Sequence, residues 1–170
     1  MIPPTPAVHK QIAELETLLQ QMITEHGKML QQIEKQQLAM QAMDRRAMDE
    51  ATNLQEASRL KIASLEQKRR ALVILIGRAL RITGEPKIPQ LAEIFPDRKQ
   101  SLLKLREELR SLISQVATKN HIVGKLASAV LGHLNTAIRL VAGVVEHAGL
   151  YTKKGVPRMA TRIGVMEAVG

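Results

Sequence analysis

The residues of this chain that could carry out chemistry are its histidines, an adjacent carboxylate pair and a lysine–glycine segment near its end. The five histidines are His9, His26, His121, His133 and His147. Zinc hydrolysis from one helix face needs two imidazoles and a base in the HExxH arrangement, and no pair here has it. Cysteine is absent, which excludes disulfides and thiolate metal sites. Glu107 and Glu108 lie on a helix surface rich in lysine and arginine, where a solvent-facing role is the default for charge. Lys153-Lys154-Gly155 lacks the glycine spacing and the following Ser or Thr of a phosphate-binding loop. No nucleophile elbow is present. The sequence reads as a non-enzyme with no catalytic residue, no metal site and no cofactor.

What remains is chemistry of recognition. Asn120 falls in mid-helix near an apolar seam, where asparagine is a poor helix former; it can fix register or oligomer state, or bond a partner's backbone. His133 sits in the same seam as a core or interface histidine. Tyr151 is the only tyrosine, tryptophan is absent and the only other aromatic is Phe95. Tyr151 stands in "GLYTKKGVP", between Gly149 and Gly155 and beside two lysines. A ring with a polar tip suits an interface anchor there, or a cap on the end of a bundle. Phe95 reads as a packing plug.

The elements that must position these residues are helices. Beta-branched and aromatic runs bounded by turn residues are absent. After a proline leader, a 3–4 spacing runs Ile12, Leu15, Leu19, Met22, His26, Met29, Ile33, Gln36, Met40, Met43, which is a coiled-coil seam. Asp44 can start a second helix, with the stripe Ala51, Leu54, Ser58, Ile62, Leu65, Arg69, Leu72, Ile76, Ala79. A straight rod would need a partner to bury this seam, so a turn at Asp44 is preferred. "ITGEPKIPQ" breaks the pattern, with Gly84 suited to end a helix in the left-handed conformation. "LAEIF" is at most a short turn of helix covering the bundle end. The third long helix has the cleanest spacing, from Leu102 to Val144. The expected fold is all-α: a long antiparallel helical hairpin plus a third long helix, an elongated coiled-coil or helical bundle, with a flexible basic C-terminal tail. The expected organisation is a bundle over 1–147 (helix one 7–43, helix two 45–82, loop 83–96, helix three 97–147), then a Tyr/Gly segment and tail over 148–170.

From Ile122 onward the third helix is apolar over more than one face. Such a helix must be buried or bind something. The expected binding surface is Val123, Ala127, Val130, Leu134, Ile138, Val141 and Val145, a groove for an amphipathic helix. The alternatives are a compact bundle that uses both apolar rows, or a homodimer sealed through this helix.

The net charge is +9. It is spread along the helices and densest in the tail, where four Lys/Arg face one Glu after Ala148. A nucleic-acid site would combine a concentrated basic stripe with stacking aromatics, which are lacking. Lys125, His133, Asn135 and Arg139 interrupt the most apolar stretch, so no membrane insertion is expected. No basic region followed by an apolar core opens the chain, and a cytoplasmic location is expected.

Together these features resemble the FlgN-type flagellar export chaperones, over nearly the whole chain. The resemblance rests on "LLQQMITEHGKML" followed by "KIASLEQKRRALV", on Asn120 within the third helix, and on the closing "YTKKGVP". The family's closing motif often sets glycine directly after tyrosine; here Thr152 stands there and Gly155 is the glycine retained. The resemblance implies a cytoplasmic chaperone whose clients are hook-associated (hook–filament junction) proteins. It would hold the client's C-terminal helical segment, prevent premature assembly and deliver it to the flagellar type III export gate. By the same resemblance, Tyr151 and Gly155 would contact that gate.

Overall fold

The computed structural model describes the backbone of residues 5–148 and the side chains of residues 5–142. These form four helices: α1 (Pro6–Gln41), α2 (Arg45–Ala79), α3 (Ile88–Ile94) and α4 (Lys99–Ala148). The all-α fold with a long hairpin and a third long helix is the one expected; helix three of the sequence pattern is α4. The chain divides into two compact units, residues 1–126 and 127–170.

In α1 a proline at the first turn fixes a helical φ where its missing N–H costs nothing. Most of the seam is the one its spacing gives: Ile12, Leu15, Leu19, Met22, His26 and Ile33 are buried and Met29, Gln36 and Met40 half-buried, whereas Met43, past the end of α1, is exposed. The chain then reverses over three residues. Met43 takes a left-handed φ of 54°. Its N–H donates to the Met40 carbonyl (3.2 Å), and that of Asp44 to the Ala39 carbonyl (2.9 Å). These two bonds satisfy the last carbonyls of α1 as a Schellman motif. Asp44 at once caps α2, its Oδ1 accepting the Ala47 N–H at 3.0 Å.

Helix α2 runs antiparallel along α1. Gln55 donates to Gln36 Oε1 (2.9 Å) and Ser58 Oγ to Glu25 Oε1 (3.2 Å), so higher numbers in α2 meet lower numbers in α1. Helix α2 ends at Ala79, ahead of the expected residue 82, and by a different residue from the one expected. The left-handed position is Arg81 (φ 56°), with the Ile82 N–H reaching the Gly77 carbonyl at 2.8 Å. Gly84 has φ 88° in the loop beyond. That loop folds back so closely that a Cβ on Gly77 would lie 2.9 Å from Pro86 Cδ and 3.3 Å from the Gly84 carbonyl oxygen. Glycine at 77 is therefore a packing requirement.

Residues 88–94 form a helix of seven residues, more than the single turn expected. Pro89 opens it, and the Lys87 N–H is satisfied by Gln90 Oε1 at 2.8 Å. Leu91, Ala92 and Phe95 are buried in the main apolar cluster, and Phe95 meets His9 edge-on at 5.2 Å between ring centroids. Phe95 is the plug its sequence context implies.

The first part of α4 runs parallel to α1. Arg98 pairs with Glu16 at 2.8 Å and Lys119 with Glu34 at 3.4 Å. Leu102 and Leu109 complete the main cluster. Val116 and Val123 form a smaller one with Ile33.

Near the middle of the hairpin lie three buried polar residues, Glu25, His26 and Ser58. Glu25 accepts from Ser58 and pairs with Lys28 (3.3 Å) and Lys61 (3.1 Å). Burial by itself would raise its pKa, but hydrogen bonds from Lys61 and Lys28, with their charge, hold it below the usual carboxylate range. His26 Nδ1 lies 2.8 Å from the Met22 carbonyl oxygen.

Two stability predictions follow from these elements. Gly77→Ala destabilises by about 1–3 kcal/mol, because the loop over it must shift; Met43→Gly stabilises by about 1 kcal/mol, because glycine relieves the left-handed backbone. Chemical denaturation of both variants checks this. The second concerns acid. Hydrogen bonding from Arg69, with further help from Arg70, lowers Glu66 to about 2. A depressed carboxylate stabilises above its unfolded pKa near 4.5 and loses that contribution as pH falls toward 2. Glu66→Gln should therefore flatten the fall of melting temperature across that window and leave the neutral-pH slope unchanged.

Candidate protein-binding surface

Helix α4 is a 50-residue helix whose apolar positions recur every three or four residues. On its first half that stripe is covered: Leu102, Leu109, Val116 and Val123 are buried, with Leu105 and Leu112 half-buried between them. Among the described residues, Val123 is the last buried one. Leu126, Ala127 and Val130 are half-buried, and every residue from Leu131 to Ala142 is exposed.

The seven residues expected to bind a partner therefore divide. Val123 is 6% exposed and belongs to the cluster of Ile33 and Val116, so it is occupied within the chain. Ala127 and Val130 are partly accessible. Leu134, Ile138 and Val141 are 51%, 58% and 65% exposed. The side chain of Val145 lies outside the described residues, as do Tyr151 and Gly155. Helical spacing places Ala127, Leu134 and Val141 on one line and Leu131 and Ile138 on the next, a continuous apolar face. Burying one such aliphatic side chain contributes about 1.5–3 kcal/mol. A helix laid along this face would engage several of them.

Polar residues also lie along this helix. Asn120 is exposed, three positions before the buried Val123, and faces solvent instead of filling the seam. Ile113, at 47% exposed, lies on the same side of the helix. His133 is exposed too, although its spacing continues the seam. Thr136 is occupied locally, its hydroxyl donating to the Gly132 carbonyl at 3.0 Å. A Cβ at Gly124 or Gly132 would meet nothing within 4 Å. These glycines leave open space along the helix, where a neighbouring backbone could approach closely.

Other concavities are less suited to a helix. An open groove of about 460 Å³ at the hairpin tip is lined by Leu38, Ala39, Ala42, Ala47, Ala51 and Leu54, with Lys35, Asp44 and Glu50. A second groove of about 440 Å³ runs beside Glu25, Lys28, Lys61 and Lys68. Among the described residues no group of three or more His, Asp or Glu is placed to hold a metal ion, and no helix is long and apolar enough to cross a membrane.

The sequence matches the family model described as FlgN protein across residues 1–158. The chain belongs to the FlgN family. The match covers the hairpin, the whole of α4 and the segment with Tyr151 and Gly155. FlgN proteins are flagellar export chaperones, and the FlgN assignment gives the exposed face of α4 a context in protein recognition. Neither a search of curated proteins nor one of solved structures gives a match.

The division within α4 is measurable. Leu102→Ala should destabilise by about 2–5 kcal/mol, as for a buried leucine. Ile138→Ala should change stability by no more than about 0.5 kcal/mol, as for an exposed position. Urea unfolding of the two variants distinguishes a covered first half from an open second half.

Proposed function

We propose that the chain is a cytoplasmic export chaperone that binds the C-terminal amphipathic helical segment of hook-associated, hook–filament junction proteins. The observation that carries this reading is the run of exposed aliphatic residues on one face of α4, Leu131, Leu134, Ile138 and Val141. Surface patches of this kind mark interaction sites, and an amphipathic helix is the complement of an apolar helical face. The FlgN assignment supplies the class of client.

In this reading, Ala127, Val130, Leu134, Ile138, Val141 and Val145 hold the apolar side of the client segment. Covering that segment keeps it from assembling early. Asn120, exposed on α4, bonds the client's backbone. Tyr151 and Gly155 contact the export gate once the client is held. Binding uses burial and hydrogen bonds alone, so release needs a competing partner and no bond chemistry.

The test is a titration with a junction-protein C-terminal peptide, alongside the mass of the chain in solution. Binding at micromolar strength or better, lost in Leu134→Asp/Ile138→Asp while the melting temperature holds, supports the reading. A tight oligomer that binds no such peptide contradicts it and favours a homodimer sealed through α4. Tyr151→Ala should leave peptide binding intact and reduce export of the client; unchanged export contradicts the gate assignment.

A further inference from the structure

The outer face of the second half of α2 lies within residues 1–126 and belongs to neither apolar cluster. Ile74 and Leu75 are 41% and 50% exposed there. Arg70 and Arg78 stand one turn before and one turn after Ile74 on the same face, and Arg81 follows just past the end of the helix. All three arginines are exposed.

This stretch is one-sided in charge. No Asp or Glu occurs between Glu66 and Glu85, whereas Lys68, Arg69, Arg70, Arg78 and Arg81 do. The two bounding carboxylates are engaged: Glu66 with Arg69 and Arg70 (2.8 and 2.9 Å), Glu85 with Arg69 (3.4 Å). Arg78 and Arg81 make no ion pair among the described residues. A cation in the last turn complements the helix dipole, which is reason enough for Arg78. It gives no reason for two aliphatic side chains to stand in water between arginines. Arg81 adds a second observation, because it holds a left-handed backbone position where glycine is the less strained residue. Arginine there points to use of its side chain.

We propose that this face of α2 is a second docking surface, for an acidic amphipathic segment of a partner protein. Ile74 and Leu75 are its aliphatic anchors. The forked guanidinium groups of Arg78 and Arg81 take carboxylates in pairs of parallel hydrogen bonds. Two aliphatic side chains make too narrow a strip for a helix lying in lipid, which needs a broad apolar face. An aliphatic anchor with arginine beside it matches the composition of protein interfaces. The surface uses residues of α2 and its C-terminal end and none of the client-binding residues, so it stands or falls independently of the client reading.

The experiment uses the full chain and two probes: a fluorescent amphipathic peptide of leucine, alanine and glutamate, and phosphatidylserine vesicles. The peptide should bind the unaltered chain and weaken as salt rises. Arg78→Glu/Arg81→Glu should weaken it by about tenfold or more, the loss of charge-assisted hydrogen bonds. Arg81→Gly should weaken binding severalfold while the melting temperature stays the same or rises, an outcome that a purely structural arginine would not give. Both variants should keep junction-peptide binding at α4. No binding by the unaltered chain, variants that bind as well as it does, or binding to vesicles with none to the peptide would each overturn the proposal.

Discussion

The parallel register between α1 and α4 is the constraint on which the rest depends. It is held by Arg98–Glu16 and Lys119–Glu34 and by the apolar residues between them. Seven residues after Glu34, α1 ends at Gln41; seven residues after Lys119, α4 has reached Leu126. Helix α1 has 36 residues and α4 has 50. Among the described residues Val123 is the last buried one of α4, and the same apolar spacing goes on through Val141 into solvent. One sequence pattern thus packs against the hairpin in the first half and stays exposed from Leu131 to Ala142.

The hairpin that makes this possible is pinned by polar contacts as much as by its apolar seam. An apolar seam with a 3–4 repeat can slip by a heptad at modest cost. Glu25 can satisfy Ser58, Lys28 and Lys61 together in only one register, and an unmatched buried carboxylate would be expensive. Gln36 and Gln55 repeat the device nearer the tip. At the tip, Met43 and Asp44 end one helix and begin the next within three residues, leaving little slack for another pairing.

The apolar seam of α1 and the first half of α4 were legible in the sequence because helical periodicity reports burial directly. So were the turn at Asp44 and the plug at Phe95. The end of α2 was not, because Arg81 carries no sign of a left-handed backbone; glycine is the residue that advertises one, and Gly84 lay close by. Glu25 and Ser58 were missed as a pair because polar residues look alike in a pattern until the partner helix brings them together. The candidate surface was legible as a stripe, but periodicity could not say where cover stops. It therefore assigned Val123 to a partner, whereas Val123 is buried within the chain. That boundary depends on where α1 ends against α4, a tertiary fact.

The central claim, that the open half of α4 receives a client helix, is most directly tested by amide hydrogen exchange of the full chain with and without a junction-protein C-terminal segment. Amides of α4 between Ala127 and Ala142 should exchange quickly in the free chain and slow strongly on binding, while those near Leu102 and Leu109 stay protected throughout. Protection that appears elsewhere, with exchange between Ala127 and Ala142 unchanged, would contradict the account.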